Sequence, residues 1–93
     1  MNIYLIEEYV NRLTRNDIER FALKQGIVLD NDELNIVYTY IKKNYKTIIY
    51  GNPKDILLEI KKIVKPLTYN KIENLYIKFK DKIDMFTKNI REG

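Results

Sequence analysis

The sequence predicts an all-α fold, a compact bundle of about five helices in which the C-terminal helix is the longest. Apolar residues recur at steps of three and four along nearly the whole chain, and this is the period of an amphipathic helix. Residue types that cap helix N-termini stand before four of the five periodic segments. The 93 residues are 45% hydrophobic and 32% charged, which is typical of a globular chain. Because no interdomain linker divides them, residues 1–93 are predicted to form a single helical domain.

The first two helices are predicted from their apolar spacing and their ends. Residues 3–12 carry apolar side chains at helical steps and form the first predicted helix. Thr14 is the expected N-cap of the second helix. This helix is predicted to stop at Gly26, because glycine is common just beyond a helix C-terminus.

The third helix is predicted to begin after Asp30 and to run toward Tyr45. Two stretches rich in β-branched residues flank it, residues 27–29 and 47–50, and both are too short to be helices of their own. The sequence favours extended linkers for both stretches. A minimal two-stranded ribbon between them is the alternative.

The last two helices are predicted in the C-terminal half of the chain. Asn52-Pro53 opens the fourth helix, because proline at the first helical position loses no hydrogen bond, and Pro66 ends it. Thr68 opens the fifth helix, which runs to about Asn89. Three predicted N-termini also carry the apolar pair of a hydrophobic staple: Leu13 with Ile18, Leu29 with Leu34, and Leu67 with Ile72.

Four residue types are absent from the chain: Ser, His, Cys and Trp. Their absence excludes serine and cysteine nucleophiles, histidine bases, thiolate or imidazole metal sites, and disulfides. We therefore predict no catalytic residue, no cofactor and no metal, and a protein that is not an enzyme. No apolar run approaches the roughly 18 residues of a membrane span, and Glu7-Glu8 interrupts the first apolar stretch, which argues against a signal peptide. Cytoplasm is the expected location.

The net charge of +4 arises in the C-terminal half, because residues 52–93 carry ten basic and six acidic side chains. Nucleic-acid binding through residues 52–93 is therefore the alternative prediction for function. Residues 14–44 have the outline of a helix-turn-helix, but Asp32 and Glu33 stand where a recognition helix would approach phosphates. We interpret the abundance of Ile, Lys, Asn and Tyr first as the codon bias of an AT-rich genome.

Six lysines gather at the ends of the third and fourth predicted helices: Lys42, Lys43, Lys46, Lys61, Lys62 and Lys65. One interpretation is a site for an anion such as a phosphate or a lipid headgroup. The other, which the sequence favours, is that these cations complement the helix dipoles and the last carbonyl groups.

The most regular pattern is a heptad stripe along the last helix, with steps of 3 and 4 from Tyr69 to Ile90. Its candidate partner-binding residues are Tyr76, Phe79, Ile83, Phe86 and Ile90. Phenylalanine packs poorly in the seam of a two-stranded parallel coil, so a core stripe is favoured over self-association or a protein partner. With catalytic chemistry absent, the leading prediction is a non-catalytic, cytoplasmic protein-interaction module or small regulator.

Five short segments, spread over roughly residues 5–80, carry a resemblance to a known family. They are Leu13-Thr14-Arg15-Asn16-Asp17-Ile18, Gln25-Gly26-Ile27, Leu57-Leu58-Glu59-Ile60, Lys65-Pro66-Leu67-Thr68 and Leu75-Tyr76-Ile77-Lys78-Phe79. In these segments the chain resembles a family of short Firmicutes proteins, domain of unknown function 2624. The resemblance implies an all-helical bacterial protein and brings no catalytic or binding residues.

Overall fold

The computed structural model describes the backbone of residues 3–92 and the side chains of residues 7–85. Five helices follow one another along the chain: α1 (Ile3–Arg12), α2 (Arg15–Lys24), α3 (Asn31–Tyr50), α4 (Lys54–Ile63) and α5 (Pro66–Glu92). No strand occurs among residues 3–92. The predicted all-α fold with a long C-terminal helix is therefore confirmed.

The central helix is α3, which packs against α1, α2 and α5, while α4 packs against α5. With 27 residues, α5 is about 40 Å long. This is close to the longest dimension of the molecule, 42 Å. Helix α5 therefore accounts for nearly the whole length of the molecule.

Buried apolar side chains form two clusters. The small cluster consists of Val10, Ile49 and Ile83, with Tyr45 and Phe79 packed against it, and it joins α1, the end of α3 and the middle of α5. The main cluster lies among α2, the first half of α3, α4 and the first half of α5. Its buried members are Leu13, Ile18, Ala22, Leu29, Leu34, Val37, Ile60, Ile72 and Leu75.

The N-termini of α2 and α3 are fixed by capping boxes, as their sequences predict. At α2, the Asp17 N–H donates to Thr14 Oγ1 at 3.1 Å, and the Thr14 N–H donates to Asp17 Oδ2 at 2.9 Å. The bond from the Thr14 N–H to its carboxylate is the main cause that lowers the pKa of Asp17. At α3, Asp30 and Glu33 exchange the equivalent bonds at 2.8 and 3.0 Å.

Helix α2 ends in a Schellman motif centred on Gly26, which adopts φ +76°. The Ile27 N–H donates to the Ala22 carbonyl at 2.8 Å, and the Gly26 N–H donates to the Leu23 carbonyl at 3.0 Å. These two bonds satisfy carbonyls that the helix leaves without partners. The predicted stop at Gly26 therefore has a defined geometry, and residues 27–30 lead without regular structure into α3.

The predicted end of the third helix is wrong, because α3 continues to Tyr50 and residues 47–50 are helical rather than extended. The helix passes through a kink at Asn44, whose φ of −123° and ψ of 21° are not helical. Beyond the kink, Ile48 and Ile49 are both buried. Burial of these two side chains outweighs the modest preference of β-branched residues for strands.

The predicted starts of the last two helices are displaced. Helix α4 begins at Lys54 with Pro53 at the N-cap, and Asn52 Oδ1 accepts a bond from the Lys54 N–H at 3.0 Å. Helix α5 begins at Pro66, since proline is tolerated in a first turn. Thr68 therefore lies inside α5, and its predicted staple is absent because Leu67 is 77% exposed.

Candidate functional site

The first of the predicted anion-binding lysines, Lys42, is bound to protein carbonyl groups. Its Nζ donates to the Val10 carbonyl at 2.7 Å and to the Asn11 carbonyl at 2.9 Å, both in the last turn of α1. The same ammonium lies 5.6 Å from the centroid of the Tyr38 ring. Lys42 therefore caps the C-terminus of a different helix from its own, where its charge complements the dipole of α1.

The other five lysines separate into two groups on different helices. Lys43 and Lys46 are exposed on α3. Lys61, Lys62 and Lys65 are exposed at the end of α4 and in the connection to α5, and the Lys61 Nζ lies 5.4 Å from the Tyr69 ring centroid.

A buried carboxylate joins the first turns of α3 and α5. Glu33 is 4% exposed, and its Oε1 accepts from the Asp30 N–H and from Lys71 Nζ, each at 3.0 Å. Burial acts to raise the pKa of Glu33, but bonds from Asp30, the Thr68 side chain and Lys71 outweigh it, so the pKa is lowered. The α2–α3 and α4–α5 connections, which precede these first turns, therefore lie at the same end of the bundle.

Four large aliphatic side chains are exposed at this end. They are Leu23, Val28, Ile63 and Leu67, with exposed fractions of 53%, 67%, 61% and 77%. Four exposed lysines accompany them: Lys24 at the end of α2, Lys61 and Lys62 at the end of α4, and Lys65. We call these eight residues the corner surface. Exposed apolar side chains are typical of interaction sites where they share a surface, whereas isolated ones are ordinary.

The four exposed aliphatic residues of the corner surface are not predicted from the sequence. There, Leu67 is expected to form a staple, and residues 27–29 are expected to form an extended linker or a ribbon. The signal for Val28 was present, because alternate residues of an extended segment point to opposite sides. Ile27 packs against the main cluster and Leu29 is buried within it, so Val28 between them faces solvent.

The heptad stripe on α5 takes part in the fold over its described length. Ile83 is 8% exposed and belongs to the small cluster, and Phe79 packs against that cluster. The Phe79 ring also meets the Phe21 ring edge to face, with centroids 6.3 Å apart and planes at 86°. Tyr76 is half-buried. The remaining two candidates, Phe86 and Ile90, lie outside the residues whose side chains are described.

A cavity of about 80 Å³ lies inside the bundle, lined by residues of all five helices. Among its lining residues are Val37, Ile60 and Leu75, each at most 5% exposed, and three residues of the heptad stripe, Ile72, Tyr76 and Phe79.

Polar side chains within the bundle mainly connect helices. The hydroxyl groups of Tyr40 and Tyr45 donate to Glu59 at 3.0 Å and to Glu7 at 2.7 Å, and these bonds tie α3 to α4 and to α1. The pKa of Tyr45 is raised by its bond to Glu7, and that of Tyr40 by burial and by Glu59. Both phenols therefore stay protonated at neutral pH and act as hydrogen-bond donors.

The described residues contain no group of three or more carboxylate, imidazole or thiol side chains arranged to hold a metal ion. Within the same part of the chain, no helix combines the length and apolar character that crossing a bilayer requires. Comparison with known proteins finds no matching family model, no similar curated protein and no similar solved structure. The resemblance to domain of unknown function 2624 therefore stays a prediction.

Proposed function

We propose that this chain is a non-catalytic, cytoplasmic protein-interaction module whose corner surface binds an acidic, amphipathic segment of a partner protein. The observation that carries the proposal is the coincidence of four exposed aliphatic side chains and four exposed lysines at one end of the bundle. The aliphatic side chains supply apolar area that a partner can bury. The lysines supply complementary charge, which steers an acidic segment and fixes its register.

The charges beside the corner surface favour a peptide over a nucleic acid or a lipid bilayer. Asp32 is exposed in the first turn of α3, next to the α2–α3 connection. A phosphate backbone or an anionic membrane presents negative charge continuously and would also face Asp32. A peptide can instead place its carboxylates opposite the lysines and keep them away from Asp32. The exposed apolar side chains are also aliphatic, whereas single-stranded nucleic acids stack on aromatic rings.

Selection from a random-peptide phage library against the full chain tests the proposal. We expect enriched peptides to combine Asp or Glu with Leu, Ile or Phe, and to bind less tightly as salt is added. Val28→Glu and Leu67→Glu should each lower the affinity for a selected peptide by at least about tenfold, as measured by fluorescence anisotropy. The reason is that each variant places a charge among the exposed aliphatic side chains of the corner surface.

Matched variants at other places on the molecule serve as controls. Met85→Glu changes a side chain that is 67% exposed, as Val28 is, but lies far along α5 from the corner surface. Lys62→Glu should also weaken binding of the selected peptide, because it reverses a charge of the corner surface. Lys43→Glu is its control, since both lysines are exposed. We expect both controls to bind the peptide as the unmodified chain does, and circular dichroism to show every variant folded.

Four results would overturn the proposal. The first two are failure to enrich acidic peptides and equal loss of binding in the control variants. The third is salt-sensitive binding of duplex DNA or of phosphatidylserine vesicles without binding of any selected peptide, which would assign the surface to the other ligand. The fourth is a dimer in sedimentation analysis that Leu67→Glu dissociates, which would make a second copy of this chain the occupant.

A further inference from the structure

We infer that the cavity inside the bundle is a binding site for the end of a small, uncharged alkyl chain. The lining residues include six buried members of the main cluster: Leu13, Ile18, Val37, Ile60, Ile72 and Leu75. None of the four aliphatic residues of the corner surface is among them. The inference therefore goes beyond the proposed function and is independent of it.

The volume and lining of the cavity define the part of a ligand that enters it. Protein interiors are close-packed, and voids larger than a water molecule are few. An apolar cavity stays free of water and accepts apolar ligands, as one of about 150 Å³ accepts benzene. At about 80 Å³, this cavity has room for the end of an alkyl chain. Because 15 of its 17 lining residues are buried or half-buried, a whole helix of a partner protein cannot reach it.

The mouth of the cavity is reached from solvent near α2. Tyr9, which is 46% exposed, and Asp17, which is exposed, both line the cavity, so it extends from the core to the surface. A ligand therefore enters beside Tyr9 of α1 and Asp17 of α2.

The polar groups at the mouth select against an anionic head group. The Asp17 carboxylate is held in its charged form by the bond that it accepts from the Thr14 N–H. The Tyr9 phenol is protonated at neutral pH, since burial and then the charge of Asp17 raise its pKa. A carboxylate head group would be repelled by Asp17. A hydroxyl head group would meet one donor and one acceptor, so the expected ligand class is a neutral aliphatic alcohol.

Titration of the full chain with n-hexanol and with hexanoate tests this site, monitored by the methyl signals of Ile, Leu and Val. We expect hexanol to shift the Val37, Ile60 and Leu75 signals saturably. Hexanoate should bind at least about tenfold more weakly, because Asp17 repels its carboxylate. Shifts that grow linearly without saturation, or equal binding of the two probes, would overturn the inference.

A pair of valine variants separates the cavity from the rest of the core. Val37→Ile adds one methylene to a side chain that lines the cavity, whereas Val10→Ile adds the same group in the small cluster, where Val10 is 2% exposed. Val37→Ile should raise the melting temperature of the free protein and lower its affinity for hexanol by about tenfold or more. Val10→Ile should lower the melting temperature by overpacking and leave hexanol binding unchanged.

Leu57→Phe is a second variant that fills the cavity, and it tests the site if Val37→Ile does not fold. It enlarges a half-buried residue of the cavity wall, and it should lower the affinity for hexanol in the same way. Hexanol binding that survives Val37→Ile or Leu57→Phe in a folded protein would show that the alcohol binds elsewhere. Failure of the peptide selection would leave this result unaffected, because the two sites share no aliphatic residue.

Discussion

The main cluster and the small cluster are held together by different kinds of contact. Beside the main cluster, two capping boxes that span three residues each and a Schellman motif fix helix ends locally. The long-range Glu33–Lys71 bond adds to these local ones. The small cluster has three buried residues, and the described bonds beside it, from Lys42 to the end of α1 and from Tyr45 to Glu7, span more than 30 positions of sequence. Local bonds therefore define helix ends beside the main cluster, whereas long-range polar contacts attach α1.

Truncation of one core residue in each cluster should have the largest effects. We expect Leu34→Ala to lower the free energy of unfolding by about 3 kcal/mol, because loss of this buried side chain leaves a new cavity in the main cluster. Ile49→Ala should cost about 2 kcal/mol, since fewer neighbours surround it and they can relax. Urea denaturation measures both values.

Amide hydrogen exchange distinguishes how the two truncations act. Ile49→Ala should accelerate exchange in α1 while α4 and the first half of α5 keep their protection, because the small cluster packs α1 against α5. Leu34→Ala should accelerate exchange in all helices of the main cluster. Uniform acceleration in both variants would mean that the two clusters unfold as one unit.

The same difference explains which parts of the fold were predictable from sequence. The starts of α2 and α3 follow from Thr14 and Asp30, since a capping box needs only residues three apart. The end of α3 was mispredicted because Ile48 and Ile49 are helical only by virtue of burial against distant residues. The role of Lys42 was likewise hidden, because its acceptors lie about 30 residues earlier in the chain.

The candidate site follows the same rule. The sequence shows a group of cations at Lys61, Lys62 and Lys65. The residues that share their end of the bundle are determined by the Glu33–Lys71 ion pair. That contact spans 38 residues and brings the α2–α3 and α4–α5 connections to one end. No periodicity or cap in the sequence reports it. The exposure of Ile63 and Leu67 beside these lysines was therefore visible only in the structure.

Removal of the ammonium that caps α1 should have an intermediate effect. We expect Lys42→Met to lower the free energy of unfolding by about 1 kcal/mol, because two carbonyl groups lose a charged donor. Exchange of α1 amides should accelerate, while the amides of the main cluster change little. Lys43→Met, one residue along α3 and fully exposed, is the control and should leave stability nearly unchanged. Equal effects of the two variants would show that Lys42 acts only through the net charge.

The smallest expected effects are changes of folding stability with pH. In acid, we expect the main cluster to lose stability. The pKa of Glu33 in the folded state is lowered from 4.5. Its carboxylate therefore stabilises the fold above the unfolded-state pKa, and this contribution is lost as pH falls through the folded-state pKa. Glu33→Gln should be less stable than the unmodified chain at neutral pH, with the difference shrinking in acid. A difference that stays constant with pH would mean that Glu33 contributes through packing alone.

Alkali should instead act on the small cluster, through Tyr45. Its bond to Glu7 raises the pKa of Tyr45 above 10.0, so the protonated phenol is the form that the fold prefers. The resulting stability is fully present below the unfolded-state pKa and is lost as pH rises through the folded-state pKa. Thermal melts of the unmodified chain and Tyr45→Phe should therefore differ at neutral pH and converge in alkali. If the two melting curves stayed equally far apart at every pH, the Tyr45–Glu7 bond would contribute nothing to the attachment of α1. The small cluster would then depend on Lys42 and its three buried side chains.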